Sequence, residues 1–274
     1  MQVIRQKVLS GFFVLSGALL MVGACFTFAC AQEGQSLQPH RAIYTVHLLE
    51  VAPQSNISQI DGCLINEFKA SLSSGYISSM RLLLQMQMLD GSKRLYDEQH
   101  LNTETLDGQE FTFKEGLMVN NSPVLVLTGR AEKSGDAIFV HLRQPQEREF
   151  NVSMAAFPMA YELNILKQAR LGNNFFHSLT YQGQNKEDVF SDATVQIGKA
   201  IKKPFAKAKG AMLLLQQQPF WPVREAYFKN SFSLGRLPFY VSEENIYANG
   251  VIRDAVFHYK DFTIEAHLKE LTYF

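Results

Sequence analysis

Cysteine is scarce in this sequence. Only three occur in 274 residues, namely Cys25, Cys30 and Cys63. Small secreted domains that depend on disulfides carry many more cysteines at close spacing. The low count excludes a disulfide-stapled scaffold, so we expect a hydrophobic core to stabilise the fold.

An excess of charge of either sign is also missing. The chain has 26 Lys and Arg residues against 26 Asp and Glu, and charged residues make up only 19% of it. Nucleic-acid-binding domains usually carry a basic excess, and disordered chains have low hydrophobicity. Because 46% of the residues are hydrophobic, we expect a globular protein with no nucleic-acid partner.

The common motifs of catalytic and cofactor sites are absent as well. The chain contains no glycine-rich phosphate loop, no G-x-S-x-G motif and no H-E-x-x-H motif. Its seven histidines are scattered, with no two at metal-ligand spacing on one helix. We therefore predict no catalytic, cofactor-binding or metal-binding residues, no cofactor and no enzymatic activity. Two carboxylates that face each other in the folded chain would revive an enzymatic interpretation.

The first thirty-one residues form a distinct segment. Arg5 and Lys7 precede a stretch without charge that runs to Ala31, and the stretch ends in Ala29-Cys30-Ala31. A basic start, an apolar run and a small-x-small ending are typical of a signal peptide. We predict a signal peptide over residues 1–31, cleavage after Ala31 and export to the periplasm. Lipidation at Cys25, after Val22-Gly23-Ala24, and an uncleaved anchor are the alternatives.

Removal of this segment changes the composition. Taking 31 residues from 274 leaves 243, with 24 basic and 26 acidic side chains, and Cys63 as the lone cysteine. One cysteine cannot form an intramolecular disulfide, so we predict none and expect a free, buried and unreactive thiol at Cys63. No later stretch reaches the roughly 18 apolar residues of a transmembrane helix. We therefore predict no transmembrane span in the mature chain.

Apolar and polar residues alternate along several segments of the mature chain. One face of each segment is apolar while the other is polar, as in an antiparallel sheet with one face on a core. The clearest examples are Ala42–Leu48, Leu82–Met88, Phe111–Phe113 and Phe262–Leu268. The alternation predicts a mainly β, antiparallel fold.

Turn signals separate these segments. Five short sequences contain an Asp or Asn beside a Gly, residues that accept the positive φ of tight turns. They are Asp61-Gly62, Asp90-Gly91, Asp107-Gly108, Ser134-Gly135-Asp136 and Asn249-Gly250. We predict a single domain over residues 40–274, preceded by a flexible lead over residues 32–39.

One helix interrupts the strands. Between Phe157 and Gly172, Met159, Leu163 and Leu166 recur at helical spacing. Pro158 suits a first helical turn, and Gly172 suits a left-handed C-terminal cap. We predict one amphipathic helix that packs on the sheet, with a movable lid as the alternative. The lysine-rich segment Lys199–Gly210 is interpreted as a solvated loop, with binding to anionic lipid as its alternative.

Aromatic residues are abundant. Without the predicted signal peptide, the chain retains 17 Phe, 10 Tyr and one Trp. Aromatic side chains along strands fill an ordinary core, or line a curved sheet that holds an apolar ligand. The sequence alone leaves both interpretations open.

The order of several short motifs resembles the EipB-like cell-envelope-integrity family of alphaproteobacteria, also called DUF1849. The resemblance covers about Pro39 to the C-terminus. It is carried by His40-Arg41-Ala42-Ile43-Tyr44, by Glu104-Thr105-Leu106-Asp107-Gly108 with Phe111 and Phe113, by Gly129-Arg130-Ala131, by Phe157-Pro158, by Tyr181-Gln182-Gly183, by Trp221-Pro222-Val223 and by Asn249-Gly250-Val251.

The resemblance implies a periplasmic protein whose antiparallel sheet forms an incompletely closed, barrel-like β-spiral with one packed amphipathic helix. It implies an architecture similar to lipoprotein carriers of the LolA and LolB type, a role in envelope integrity and no assigned reaction. Two departures stand out. Ser74 lies where the family usually has a cysteine, and Leu268–Phe274 offers no cysteine partner, so the family disulfide is expected to be missing. Tyr161 lies near a position where the family commonly has a histidine.

Together these observations predict a non-enzymatic periplasmic protein that supports envelope integrity by binding an apolar or amphipathic ligand. We expect a lipid, lipoprotein or envelope-protein partner. The alternatives are an interaction scaffold that docks an envelope protein and an enzyme that acts on envelope polymers. The oligomeric state is left open.

Overall fold

A computed structural model describes residues 37–183, 191–203, 208–229 and 237–274. The predicted signal peptide, including Cys25 and Cys30, lies outside the described residues. Of the predicted flexible lead, only residues 37–39 are described. Leu37 is buried there, and the backbone N–H of Gln38 donates to the carbonyl of Asn249 at 3.0 Å. These last residues of the lead are therefore docked on the domain.

Fourteen strands and two helices make up the described residues. The strands are β1 (His40–Val51), β2 (Ile57–Ser71), β3 (Gly75–Met88), β4 (Lys93–Glu104), β5 (Glu110–Val119), β6 (Ser122–Ser134), β7 (Ala137–Gln144), β8 (Arg148–Ser153), β9 (Phe175–Thr180), β10 (Ser191–Ile197), β11 (Phe220–Lys229), β12 (Tyr240–Tyr247), β13 (Ile252–His258) and β14 (Phe262–Tyr273). The helices are α1 (Pro158–Leu171) and the short α2 (Met212–Leu215).

All fourteen strands belong to one antiparallel sheet. Its order is β8-β7-β6-β5-β4-β3-β2-β1-β14-β13-β12-β11-β10-β9, so two meanders meet where β1 pairs with β14. The sheet does not close, because β8 and β9 are its two edges. A parallel bridge between Ala156 and Thr180 brings the ends of these edge strands together. The predicted mainly β, antiparallel and incompletely closed fold is confirmed.

The alternating segments place their apolar faces inside the sheet. Ala42, Tyr44 and Val46 of β1 are all 2% exposed or less, and they pack with residues of β2, β3, β13 and β14. Phe111 and Phe113 of β5 belong to a second part of the core with residues of β6, β7 and β8. The outward positions carry the polar residues, among them His47 and His267.

Helix α1 begins and ends as the sequence predicts. Phe157 precedes it in an extended conformation, Pro158 lies in its first turn, and Gly172 ends it with a left-handed φ of 76°. Its buried residues Met159, Tyr161, Ile165, Leu166 and Ala169 pack against the inner side of β10, β11 and β12. Thus α1 is part of the core between the two sheet edges. With 14 residues it is the longest helix in the described ranges, and none of these helices could cross a bilayer.

The N-terminus of α1 is capped from a distant strand. Phe157 offers no side-chain hydrogen bond, whereas the buried carboxylate of Glu104, at the end of β4, accepts from the backbone N–H groups of Met159 at 2.8 Å and Ala160 at 3.1 Å. A carboxylate at this end satisfies free N–H groups and interacts favourably with the helix dipole. The first residue of the E-x-x-D-G motif therefore positions α1.

Four of the five predicted turns are present, and the fifth is wrong. Gly91, Gly108, Gly135 and Gly250 all have positive φ in connections between strands. Asp61-Gly62 instead lies in the middle of β2, where Gly62 pairs with Val46 and Leu84. A Cβ at Gly62 would collide with the carbonyl oxygen of Leu83. This glycine is used for the close approach of a neighbouring strand, which the dipeptide alone does not reveal.

The lone cysteine of the described residues is more exposed than expected. Cys63 is a free thiol, but it is only partly buried rather than enclosed in the core. It follows Gly62 in the middle of β2, where it pairs with Thr45 and Leu83.

The lysine-rich segment exposes the four lysines that the structure describes, namely Lys199, Lys202, Lys203 and Lys209. Residues 204–207 lie outside the described ranges.

Candidate functional site

The inner side of the sheet and α1 enclose a cavity of about 600 Å³. Its walls come from both meanders and from the helix. Apolar residues such as Tyr44, Leu82, Met159 and Ile252 cover much of the surface. A cavity of this size is in the range of small-molecule sites. We call it the acidic cavity, because five glutamates line it, three of them on α1, β11 and β12.

The helical repeat of α1 places Glu162 at the cavity. Glu162 lies three residues after Met159 and four before Leu166, on the stripe of α1 that faces the core. Its side chain is exposed to open space, and that space is the cavity. The protein surrounds the carboxylate, and burial raises its pKa to about 7, with Glu225 and Glu104 adding to the effect.

Glu225 lies deepest. It points inward from β11 together with Trp221, Val223 and Tyr227, and it is 5% exposed. One carboxylate oxygen accepts from the hydroxyls of Tyr161 at 2.6 Å and Tyr227 at 2.8 Å, and the other accepts from Ser242 at 3.5 Å. Burial raises the pKa of Glu225 even though these three donors favour its charged form.

Glu244 completes the group from β12. It points inward with Tyr240, Ser242 and Ile246. Burial raises the pKa of Glu244 well above its usual value, and the nearby Glu225 and Glu162 raise it further. Neither Glu162 nor Glu244 has a hydrogen-bond or ion-pair partner among the described residues. Their carboxylate oxygens face the open space of the cavity, where they are available to contact a ligand.

The opposite wall also carries polar side chains. His100 of β4 lies directly across from Glu115 of β5, and its Nε2 is 2.8 Å from Glu98 Oε1. Burial disfavours the charged imidazole, but the hydrogen bond to Glu98 and the charge of Glu115 outweigh it, so the pKa of His100 is raised. The ligand atoms of these three residues lie within 4.8 Å of one another, a spacing able to hold a metal ion.

A second cavity, of about 450 Å³, adjoins the first. The two share Leu82 and Tyr259 in their walls. The second cavity is lined mainly by apolar side chains, and we call it the apolar cavity. They are Ile57, Leu82, Leu84, Met86, Met88, Leu117 and Phe262. Arg94 and Asp261 are among the few charged residues in its wall.

A family model described as EipB-like matches residues 31–274. The chain belongs to the EipB-like family. The resemblance found in the sequence motifs is thereby confirmed, and in this member the E-x-x-D-G motif supplies the Glu104 cap of α1.

Two relatives of the EipB-like chain are informative. The cell envelope integrity protein EipB of Brucella abortus (strain 2308) is 28% identical over 257 residues, which cover 93% of this chain and 91% of the relative. A crystal structure of a β-barrel-like DUF1849 protein from Brucella abortus has a TM-score of 0.81 at 28% identity. That match covers 87% of this chain and 99% of the other.

The two departures from the family pattern have definite places in the structure. Ser74 lies in the exposed turn between β2 and β3, where its hydroxyl is 2.5 Å from that of Ser71. Tyr161 takes part in the acidic cavity, since its hydroxyl holds Glu225. Tyr161 is therefore a direct contact of the most deeply buried carboxylate of the cavity.

The three glutamates were not predicted as site residues. They come from segments far apart in sequence, and none belongs to a known motif. The sequence feature that could have revealed them is a charged residue at a position where the periodicity predicts an apolar one. Glu225 stands between Val223 and Tyr227 on the inward side of β11, and Glu162 stands in the apolar stripe of α1. Such residues are expected only where the inward face meets a cavity or a partner.

Proposed function

We propose that this chain is a non-enzymatic periplasmic protein that supports cell-envelope integrity by holding an apolar or amphipathic ligand inside its curved sheet. The observation that carries the proposal is the interior itself. A packed β-domain leaves few voids larger than a water molecule, whereas this one has adjoining cavities of about 600 and 450 Å³. A lipid or the acyl chain of a lipoprotein has the shape and polarity to fill them.

The envelope role rests on the relative. The Brucella abortus protein that is 28% identical over nearly the full length of both chains is named for cell envelope integrity. The leader over residues 1–31 agrees with the same compartment, since a basic start followed by an apolar run is typical of exported proteins. Amino-terminal sequencing of the protein recovered from the periplasm tests this part, with Gln32 as the expected first residue.

The decisive test of ligand binding is native mass spectrometry of the mature protein expressed in a periplasm. We expect a population heavier than the bare chain, and solvent extraction should release a lipid-like molecule. A Met88→Trp variant places a bulkier indole ring in the apolar cavity and should lower the fraction of protein that carries a ligand. Gln85→Trp is the matched control, because Gln85 is an exposed residue of the same strand.

The outcomes of this experiment separate two classes of function. A ligand-free protein that gives no mass shift with added lipid or lipopeptide would contradict carriage. If crosslinking then yielded a discrete adduct with an envelope protein, the interaction scaffold would be the better description. Deletion of the gene tests the wider role, for which sensitivity to detergent and to envelope-directed antibiotics is the expected phenotype.

A second candidate is an enzyme that acts on envelope polymers, and one observation favours it. Glu162, Glu225 and Glu244 face the same cavity with perturbed pKa values, as paired acids and bases do in many active sites. Glycoside hydrolysis uses two such carboxylates. Release of soluble fragments from purified cell-wall polymer, lost in Glu162→Gln and retained in the outward-facing Glu243→Gln, would establish this alternative.

A further inference from the structure

The charges around the acidic cavity are unbalanced. Five glutamates line it, and no lysine or arginine does within the described ranges. Two of the five are compensated: Glu67 pairs with Arg41 at 3.3 Å and with Lys69 at 3.6 Å, and Glu115 faces His100. Glu162, Glu225 and Glu244 remain, and none of the three has a cationic partner among the described residues.

The hydrogen bonds of these three glutamates are also unequal. The hydroxyls of Tyr161, Tyr227 and Ser242 all donate to Glu225. Glu162 and Glu244 accept from no described residue, although both border the cavity. The cavity therefore presents unused acceptor oxygens from α1 and β12. A group that brings positive charge and several N–H donors would satisfy both, and an ammonium has three such donors.

The apolar cavity determines what the rest of the ligand is. It adjoins the acidic cavity at Leu82 and Tyr259 and continues along Leu84, Met86 and Met88. Methionine side chains adapt their shape to flexible partners. Apolar atoms make up most of the exposed wall, and the charged side chains of Arg94, Glu98 and Asp261 also border it. An unbranched hydrocarbon chain fits such a space, with its polar end toward the glutamates.

We propose that the interior binds an amphiphile with a cationic amine head group, the ammonium lying between Glu162 and Glu244 and the hydrocarbon chain in the apolar cavity. This inference rests on the proposed ligand-binding function and names its ligand class. The ligand is recognised by charge at one end and by apolar burial at the other. An anionic amphiphile of equal length meets like charge at the same position and is rejected.

The same arrangement makes binding depend on pH. Burial raises the pKa of Glu162 to about 7 and that of Glu244 above its usual range. An alkylammonium stays protonated to about pH 10, by comparison with lysine. Its affinity therefore rises from pH 5 to pH 8, as the glutamates lose their protons. The other titratable groups that face the cavity are His40 and Tyr44 from β1, Glu67 from β2, His100 from β4, Glu115 from β5, Tyr161 from α1, Glu225 and Tyr227 from β11, Tyr240 from β12, and Tyr259 after β13.

The imidazoles act in the same direction. The hydrogen bond to Glu98 and the charge of Glu115 raise the pKa of His100 despite its burial, whereas burial lowers the pKa of His40. An imidazole that loses its proton as the pH rises removes positive charge from the cavity, which also favours binding of an ammonium. The tyrosines stay protonated throughout, because burial raises the pKa values of Tyr227 and Tyr240. The change in charge from pH 5 to pH 8 therefore favours a cationic head group.

The test compares three probes with the same chain: dodecylammonium, dodecanoate and the neutral monolauroylglycerol. Isothermal titration calorimetry is run on the delipidated mature protein at pH 5, 6.5 and 8, below the concentrations at which the probes form micelles. We expect dodecylammonium to bind at least about tenfold more tightly than dodecanoate at pH 8, since hydrogen bonds to charged groups are among the strong ones. That preference should shrink at pH 5.

Charge-neutral variants locate the head group. In Glu162→Gln/Glu244→Gln the preference for dodecylammonium should fall by about tenfold, with monolauroylglycerol binding unchanged. Glu243→Gln is the matched control, because Glu243 is an exposed residue of β12 that contacts Arg224. If circular dichroism shows that the double variant does not fold, the single variants and the wild-type pH profile replace it.

The outcomes distinguish two failures. Three outcomes would overturn the proposed cationic head group while leaving ligand binding intact. They are equal affinity for all three probes, a preference for dodecylammonium that weakens toward pH 8, and a preference that survives in the variants. Absence of binding by every probe would overturn the proposed function itself. Tight binding of Mg²⁺ or Zn²⁺ alone at Glu162 and Glu244 would replace the amine by a metal ion and would also overturn the inference.

Discussion

Gly62 lies where two neighbouring strands approach more closely than any larger residue allows. A Cβ added to Gly62 would collide with the carbonyl oxygen of Leu83 and with the side chain of Leu84. Gly116, in β5, is the contrasting case, since a Cβ added to it meets nothing within 4 Å and its φ is not positive. Both are glycines inside strands, but only Gly62 is required by packing.

This difference gives the first prediction. Gly62→Ala should lower the free energy of unfolding by about 2 kcal/mol, the usual cost of overpacking, and the melting temperature by roughly 4–8 °C. Gly116→Ala is the control and should leave the melting temperature within about 1 °C, or raise it slightly by reducing backbone freedom in the unfolded chain. Equal effects of the two substitutions in thermal unfolding would show that the contact with Leu83 is not tight.

The second residue-scale prediction concerns protonation. Because burial raises the pKa of Glu162 to about 7, the folded state holds this proton more strongly than the unfolded state, whose pKa is near 4.5. The contribution to stability is therefore fully present below about pH 4.5 and is lost as the pH rises through 7. Glu162→Gln removes the penalty, so it should raise the melting temperature at pH 8 by a few degrees.

The measurement is a series of thermal melts from pH 4.5 to pH 8. The difference between Glu162→Gln and wild type should be near zero at pH 4.5 and should grow to a constant value above about pH 7. Glu243→Gln serves as the control on the exposed side of β12 and should show no such trend. A constant difference across the range would mean that Glu162 is not enclosed in solution.

At the scale of elements, α1 depends on a residue that lies 55 positions earlier in the chain. The helix supplies no side-chain cap of its own, and Glu104 takes that role from the end of β4. Burial raises the pKa of Glu104, although the two backbone N–H groups that donate to it and the nearby Lys133 favour its charged form. The Glu104 cap joins α1 to the first meander, whereas the buried side chains of α1 pack on strands of the second meander.

Removal of this cap gives the third prediction. Glu104→Ala should cost about 1–2 kcal/mol, as other helix N-terminal caps do, and leave two N–H groups of α1 without an acceptor. The melting temperature should fall by roughly 2–8 °C, and amide exchange of Met159 and Ala160 should accelerate. Glu110→Ala is the control, because the side chain of Glu110 is exposed and its one hydrogen bond or ion pair in the described part of the chain is with Arg130. Unchanged exchange at α1 would contradict the capping role.

The elements themselves are largely predictable, and the contacts between them are not. Pro158 and Gly172 mark the ends of α1 because they act within one helical turn, and the alternation of Ala42, Tyr44 and Val46 marks a strand for the same local reason. The Glu104 cap, the place of Gly62 inside β2 and the approach of Glu162 to Glu225 and Glu244 all depend on which segments become neighbours. A single sequence carries no direct record of those pairings.

At the scale of the molecule, packing stabilises the described part of the chain without a disulfide. Cys63 is a free thiol there, and the turn between β2 and β3 holds Ser74. A disulfide in a domain of this kind contributes about 2–5 kcal/mol. Within the described residues, the two meanders, α1 and the β1–β14 pairing stabilise the fold without such a link.

The fourth prediction follows. Addition of a reductant should leave the melting temperature of the mature protein unchanged, because there is no bond for it to break. The protein should also react with one equivalent of a maleimide at Cys63, which is partly exposed. Calorimetry with and without reductant checks the first point, and mass spectrometry checks the second. A decrease of several degrees would show that the mature chain keeps a second cysteine.

The pairing of β1 with β14 has a consequence for how the molecule forms. Every other pair in the described sheet joins strands that are consecutive in the chain, so each meander finds its register locally. The seam from His40 and Tyr273 to Val51 and Phe262 instead joins opposite ends of the domain, and such nonlocal pairings form slowly. The walls of the acidic cavity are divided between the two meanders, with His100 and Glu115 on one and Glu225 and Glu244 on the other. The cavity therefore comes into existence only when the seam closes, and any molecule bound inside it would report that the chain has finished folding.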